Sequence, residues 1–516
     1  MLPGPTVPAL LPLLTAQEAF PAFEEAVLDA HEEIVCGFRI FDFATRLRSP
    51  RARAVGADWF DLILDALRRG VTFRLVLSDF DAVVGEHLHG LTWRSLRAAA
   101  ALRELAPPGA QLDVSAALHP ARLAWPVRLA LWPKVQLMLG ARTRSLAQMP
   151  EGARARYLLD HPGVMRMLRV QGARLRPRRL FLPDLAQVTH HQKLAVIDGR
   201  RLYCGGLDLN ERRFDTLAHD RPAEETWHDV QVMIDDPAMA QVARAHLETF
   251  VSATHRHAPP SPSSGGVLRT LSACAAGTGN SFAPRRLLTE LEAETLRGIA
   301  AARDLIYIET QFLRSRRIAG ALARAARRNP QLRLFLILPG APEDVAFEQS
   351  DRSDARFGEY LQAICVARLR RAFGTRLFIG APVRRVAATS RGRDTLYGAP
   401  LIYVHAKVSI FDETLAVISS ANLNGRSLRW DTEFGVKISD PAQVRALRDR
   451  LLRHWLDDAE AERLVSAESC VAAWRAQAAR NAHSTPSARL GFLVPYRSGP
   501  GRRFGRDLPV IPEEMV

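Results

Sequence analysis

Two short stretches of this chain carry the same residue types in the same register. His191-Gln192-Lys193-Leu194-Ala195-Val196-Ile197-Asp198 and, 214 residues on, His405-Ala406-Lys407-Val408-Ser409-Ile410-Phe411-Asp412 both read HxKxxxxD. Seven residues after each Asp begins a small-residue turn carrying an acid or amide, Gly205-Gly206-Leu207-Asp208 in the first and Ser419-Ser420-Ala421-Asn422 in the second. With only 4 Lys against 66 Arg, such a motif is expected by chance about once in a hundred similar sequences. Two copies in register therefore mark a duplication. Where Arg is so preferred, Lys193 and Lys407 are there for more than charge, and a compact ammonium fits a tight phosphate site that a planar guanidinium does not.

The pattern around the motifs repeats too. A helical pattern over 16–30 leads to an apolar run over 34–43 that reads as a strand, a helix opening at Asp58 and closing at Gly70, and a strand over 72–77. Further on come a helix over 287–302, a strand over 305–312, a helix ending at Asn329-Pro330 and a strand over 332–338. Each motif is followed by a strand ending in Asp-Pro, at Pro237 and Pro441, and then by a helix. The expected fold is α/β: two tandem halves, each a mixed, largely parallel sheet flanked by helices, packed about a pseudo-twofold axis with the active site between them. The expected boundaries are 1–254 for the first half, with an insertion over about 83–184, 255–282 for a Pro/Ser/Gly-rich linker, 283–474 for the second half and 475–516 for a basic tail. The insertion holds Trp125-Pro126, Trp132-Pro133 and an Arg-rich stretch. Ordinary core packing is its expected role, with contact to a lipid interface through Trp, Leu and Arg as the alternative.

Composition bounds the partners. The 516 residues carry a net charge of +15, which favours anionic surfaces, whether phosphates, membranes or nucleic acid. Five widely spaced cysteines without a CxxC pair suggest neither a disulfide framework nor a zinc site. Neither a signal peptide nor an apolar run long enough to span a bilayer is visible, so the expectation is a soluble or peripheral protein, cytoplasmic by default, with secretion by a non-classical route as the alternative.

The motifs resemble those of the phospholipase D superfamily, and their surroundings resemble its true phospholipase D branch. Gly205-Gly206-Leu207-Asp208-Leu209 with Arg213-Phe214-Asp215 and His219 is similar to that branch's GGLDL sequel, and Trp227-His228-Asp229 to its WHD element. Ile306-Tyr307-Ile308-Glu309-Thr310-Gln311-Phe312 is similar to its YIENQF strand, with Thr310 where Asn is usual, and Asn422-Leu423-Asn424 with Arg426-Ser427 completes the second motif.

The residues also argue for themselves. Cleaving a phosphodiester without a metal needs a nucleophile, an acid for the leaving alkoxide and fixed positive charge for the non-bridging oxygens. Each half has one motif imidazole, so the halves must face each other. The resemblance implies His191 as nucleophile, forming a phosphohistidine, and His405 as general acid and then base, although symmetry alone leaves the two interchangeable. Lys193 and Lys407 would clamp the phosphate, with Asp208 and Asn422 nearby, although an anion there is awkward and Asp208 is read alternatively as holding Lys193. Asp229 and Glu433, each eight residues before its matched Pro, are the candidates for orienting the imidazoles. Asp198 and Asp412 complete the catalytic motifs, yet fixing the strand and its loop suits them better than touching substrate. His190 reads as a strand neighbour facing away; Glu309 and Gln311 share one face of their strand, and the resemblance implies that they border the cleft, with a buried polar contact between the halves as the alternative.

The expected function is therefore hydrolysis of a glycerophospholipid such as phosphatidylcholine to phosphatidate, with transphosphatidylation alongside. The alternatives are a cardiolipin-synthase-like phosphatidyltransferase, whose relatives usually carry N-terminal membrane spans not seen here, and a metal-independent nuclease. A non-catalytic basic protein that binds anionic membranes is the third class, disfavoured by two complete motifs. No cofactor or metal is expected. The partner is phospholipid at a membrane surface, with nucleic acid less favoured, and the assembly is a monomer because both motifs lie in one chain.

Overall fold

The computed structural model describes residues 9–171, 174–275, 283–456, 464–466 and 468–516. Its frame is two mixed sheets. The first contains β1 (Ala9–Leu14), β2 (Glu33–Phe38), β3 (Thr72–Ser78), β4 (Leu112–Ala117), β5 (Lys193–Ile197), β6 (Arg201–Gly205) and β7 (Val230–Asp235), in the order β1-β7-β6-β5-β2-β3-β4. The second contains β8 (Val267–Ala273), β9 (Arg285–Thr289), β10 (Leu305–Thr310), β11 (Arg333–Ile337), β12 (Leu377–Pro382), β13 (Lys407–Phe411), β14 (Leu415–Ser419), β15 (Glu433–Ile438) and β16 (Leu493–Pro495), in the order β9-β8-β15-β14-β13-β10-β11-β12-β16. Seven strands correspond neighbour for neighbour, β1-β7-β6-β5-β2-β3-β4 matching β8-β15-β14-β13-β10-β11-β12.

The parallel part of each sheet is three strands wide, β2-β3-β4 and β10-β11-β12. The motif strands run antiparallel to β2 and β10, and the other matched neighbours are antiparallel as well. Connection length decides the pairing after each motif: a turn of a few residues can only make a hairpin, whereas a parallel return needs a crossover helix. In the first half α1 (Thr15–Leu28) precedes β2, α2 (Trp59–Arg68) and α3 (Glu86–Leu105) are the crossovers, α4 (Trp125–Gln148) lies in the insertion, and α5 (Pro237–Thr254) follows β7. In the second, α6 (Glu290–Ala301) precedes β10, α7 (Arg316–Arg328) and α8 (Ser353–Phe373) cross over, and α9 (Pro441–His454) follows β15.

The helix starts follow from their caps. Asp58 accepts from the N–H groups of Phe60 (3.1 Å) and Asp61 (3.3 Å). In both Asp-Pro turns the carboxylate caps a helix whose first position is the proline, Asp236 accepting from Ala238 and Met239 and Asp440 from Gln443. Proline has no N–H to leave unpaired there. Motif strands β5 and β13 are buried along their whole length, as central strands covered on both sides must be. One apolar core runs through both halves, joining Val196, Val230 and Val232 to Val408, Ile418 and Val436.

Three boundaries differ from the sequence reading. The region 83–184 is not all insertion, because α3 and β4 are the first sheet's own crossover and edge, matching α8 and β12. Strand β4 was hidden because Asp113 and Ser115 face solvent and break the apolar run. The supposed linker contains β8, a fully buried strand pairing with β15 as β1 pairs with β7; its Pro, Ser and Gly flanks masked seven residues of strand. The supposed tail is folded: α10 (Cys470–His483) runs into it and buries Ala478 and Asn481, β16 extends the second sheet from β12, and Glu514 binds Arg429 (2.6 Å).

Candidate active site

The motif lysines begin their strands, and the histidines stand two residues earlier. Across the sheet Lys193 pairs with Phe38, the last residue of β2, so the site lies at the carboxyl ends of the parallel strands. The halves meet there through two equivalent backbone bridges, His190 with Thr432 and Val404 with His228. The N–H of His191 donates to the Thr432 carbonyl (2.8 Å), and that of His405 to the His228 carbonyl (2.7 Å).

Those bridges exchange carboxylates between the halves. His191 Nδ1 lies 3.0 Å from Glu433 Oε2, and His405 Nδ1 lies 2.6 Å from Asp229 Oδ2. Each motif imidazole is thus oriented by the acid of the opposite half, and its Nε2 is left for chemistry. Gly206 reflects the tightness of this arrangement, since a Cβ there would sit 2.2 Å from Asp229 Oδ1. The matching Ser420 instead gives its hydroxyl hydrogen to Glu433.

The two ammonium groups are buried beside the imidazoles. Lys193 Nζ donates to the His191 carbonyl (2.6 Å) and stands 3.7 Å from Asp208 Oδ1. Lys407 Nζ donates to the His405 carbonyl and lies 2.8 Å from His405 Nδ1. Asp208 also accepts from the Ile40 N–H (3.1 Å) and lies 3.5 Å from Arg39. Its contacts are those of a group holding cations, which resolves how an acid can stand in such a place. Asn422 is buried, with its carbonyl oxygen unpartnered among the described residues.

Burial first, then the cations Lys193, Arg39, Lys407 and Arg426, hold the His191 imidazole well below its ordinary pKa. Burial, Lys407, Arg213 and Lys193 do the same to His405. Desolvation raises Glu433 to about 8 against the pull of Lys193, raises Asp229 to about 6 against Lys407, and lowers Lys407 to about 7. Concentrated positive charge around two neutral imidazoles favours an anion between them.

Sequence reasoning gave no role to Arg39, Arg213 and Arg426. Arg39 directly follows β2, Arg213 stacks on Trp227 (3.7 Å), and Arg426 is held by Asp431 (2.9 Å). Position just past a parallel strand was the available signal for Arg39.

Other candidates stand apart from this chemistry. Asp198 and Asp412, counted with the catalytic motifs, lie at the far ends of their strands in the left-handed region (φ 49° and 52°). Asp198 accepts from the N–H groups of His31, Glu32 and Glu33 (2.8–3.1 Å), and Asp412 from Arg303, Asp304 and Leu305 (2.8–2.9 Å). They tie each motif strand to the start of the adjacent parallel strand. Asp412→Ala is expected to cost about 2–3 kcal/mol of stability, read by denaturant melts, with the turnover of the folded fraction within about twofold of wild type. His190 bonds Thr432 (2.8 Å), away from the imidazole pair. Glu309 is fully buried and bridges the halves, lying 2.7 Å from His228 Nε2 and accepting from Trp455 Nε1 (2.8 Å) and Tyr307. Gln311 donates to Tyr403 (2.8 Å).

Among the described residues, one group gathers metal-binding donor types. His219, His228 and His454 bring ring nitrogens within 4.8 Å of one another. Asp215 lies 2.6 Å from His219 Nδ1, and the Nε2 atoms of His219 and His454 are 3.0 Å apart. With the Glu309 contact to His228 these hydrogen bonds tie the halves together, while His228 Nδ1 is buried without a partner among the described residues.

Known proteins share this architecture. The family model described as cardiolipin synthase, PLD-like domain, matches residues 295–455, which contain the second motif. Cardiolipin synthase A of Pseudomonas entomophila is 25% identical over 284 residues, 54% of this chain and 49% of that protein. Phospholipase D1 of Homo sapiens is 28% identical over 176 residues, 29% of this chain and 16% of that protein. The chain thus spans about half the length of the cardiolipin synthase and far less of phospholipase D1. A crystal structure of phosphatidylserine synthase from Haemophilus influenzae superposes with a TM-score of 0.51 at 12% identity, covering 86% of each chain, and so shares the fold. Residues 295–455 thus match a PLD-like domain, and the two relatives support membership of the phospholipase D superfamily.

Proposed function

We propose that this protein is a phosphatidyltransferase that passes the phosphatidyl group of a glycerophospholipid to an alcohol acceptor, with hydrolysis as the side reaction when water takes the acceptor's place. The supporting observation is the reciprocal orientation of the two imidazoles, His191 by Glu433 and His405 by Asp229. In the first step His191 Nε2 attacks phosphorus, the bond to the head-group oxygen breaks, and His405, which takes up a proton from solvent once the phosphate anion lies between the imidazoles, supplies that proton to the departing alcohol. In the second, neutral His405 takes the proton of the incoming alcohol, whose oxygen displaces His191 from phosphorus. Lys193 and Lys407 hold the non-bridging oxygens through both steps, and Asp208 keeps Lys193 and Arg39 in position.

Transfer is preferred over the hydrolysis expected from the sequence because the matched family model and the P. entomophila relative both carry the cardiolipin synthase name. The test is incubation with phosphatidylglycerol in EDTA, followed by mass spectrometry of the lipids. Cardiolipin and free glycerol should exceed phosphatidate. Phosphatidate as the dominant product would return the assignment to a phospholipase D, and cleavage of DNA with lipid untouched would move it to a nuclease.

A further inference from the structure

The inserted region has a surface unlike the rest of the protein. Nine of the seventeen exposed large apolar side chains among the described residues fall within residues 125–181, 57 residues of 516. Helix α4 shows why. Its inner side buries Val135 and Leu139 against Val83, Met167 and Leu185, which is the packing role expected from the sequence. Its outer side is apolar as well: Trp125, Leu129, Pro133 and Leu137, at four-residue spacing, are all exposed. A helix facing water on one side ordinarily places polar residues there. Leu180 and Phe181 are also exposed, Leu180 completely.

Charge concentrates in the same place. Between residues 122 and 184 thirteen Lys and Arg stand against three Asp and Glu, a net +10 of the chain's +15. Arg144, Arg156, Arg166, Arg169, Arg176 and Arg179 are exposed. Exposed apolar side chains and exposed arginines within one region suit the boundary between anionic head groups and acyl chains. A second copy of the chain would bring an equally positive face and be repelled.

The topology roots this insertion beside the candidate active site. The insertion leaves the sheet at the carboxyl end of β4 and returns directly into His191, at the sheet end where His191, Lys193 and Arg39 gather. Its root packs on the second half, where Ala121 and Val188 meet Trp430.

We infer that the outer face of α4 and the adjoining Arg-rich segment seat the protein on an anionic phospholipid bilayer, with Trp125, Leu129 and Leu137 entering the head-group region and the region's exposed arginines binding lipid phosphates. This deepens the phosphatidyltransferase reading by placing the cleft at the surface where its substrate lies. Among the described residues no helix is long and apolar enough to cross a membrane, so the attachment is along the surface.

The test is co-sedimentation of the full chain with phosphatidylglycerol and phosphatidylcholine vesicles. Wild type is compared with a Trp125→Ser/Leu129→Ser/Leu137→Ser variant and with Arg176→Glu/Arg179→Glu, after thermal melts confirm that both fold. Each inserted Trp or Leu is worth roughly tenfold in partitioning. The apolar variant should therefore bind phosphatidylglycerol vesicles at least about a hundredfold more weakly. The charge-reversed variant should lose its preference for phosphatidylglycerol over phosphatidylcholine, and raised salt should weaken wild-type binding. Turnover of a short-chain phospholipid below its micelle concentration should stay within about twofold of wild type in both variants. Unchanged vesicle binding by the variants, or no binding by wild type, would overturn the assignment. So would a wild-type dimer, seen by sedimentation equilibrium, that the apolar substitutions dissolve, because the occupant would then be a second copy. Vesicle binding is read without catalysis, so a protein that docks as described but turns over no phospholipid would refute the transferase reading and leave the docking surface standing.

Discussion

His191→Ala and His405→Ala should each lower turnover by about ten-thousandfold, and the double variant should be little worse than either alone. Nucleophile and proton-transfer partner act as one unit, so removing the second member of a broken pair subtracts almost nothing more. The structure gives this a specific form, because each imidazole is fixed by the other half's carboxylate, His191 by Glu433 and His405 by Asp229. Neither half is therefore complete alone. Steady-state kinetics on phosphatidylglycerol, with melts to confirm folding, read the effect. Two independent half-sites would instead leave each single variant with about half the wild-type rate.

The second large effect is predicted for substitutions that keep the charge. Lys193→Arg and Lys407→Arg should each lower kcat by about a hundredfold or more, nearly as much as the alanine variants. Both ammonium groups are almost completely buried, with relative exposures of 0% and 4%, and Lys407 is wedged against the His405 ring and carbonyl. A guanidinium is wider and planar, and would have to displace the imidazole to fit. Full activity of either Arg variant in the same assay would mean that these positions supply only diffuse positive charge.

How much of this could be read in advance depended on whether the signal was local. The motif strands, the Asp-Pro helix starts and the duplication follow from short-range patterns, and in each half the two parallel strands ahead of the motif, the motif strand with its turn and the strand before the Asp-Pro were legible, whereas β1 and β4 in the first half and β8 and β12 in the second were not. Strand β4 escaped because an edge strand with one solvated face needs no continuous apolar run, and β8 because its seven buried residues stand among Pro, Ser and Gly. The orienting roles of Asp229 and Glu433 were suggested by equal spacing to the two prolines. Which imidazole each would serve was not, since the exchange between halves is a property of the assembled pair. Arg213 and Arg426 stood within the motif surroundings and Arg39 just past a strand, yet they were given no role, because among 66 Arg residues the pattern alone does not say which ones add their charge to the cleft. The motif aspartates show the converse. Asp198 and Asp412 stand in the most recognisable signature in the chain, yet their carboxylates are occupied with backbone N–H groups at the far end of the strand.

The central claim is that the two halves make one site that works through a covalent enzyme intermediate on His191. It is tested most directly by reacting His405→Ala with a phosphatidyl ester of p-nitrophenol, a leaving group that needs no proton, and then examining the protein by peptide mass spectrometry. With no base to activate the acceptor in the second step, the predicted result is a burst of about one p-nitrophenol per chain, with the phosphatidyl mass on the peptide containing His191. A burst whose covalent group lies elsewhere, or steady release of p-nitrophenol with no adduct, would contradict it.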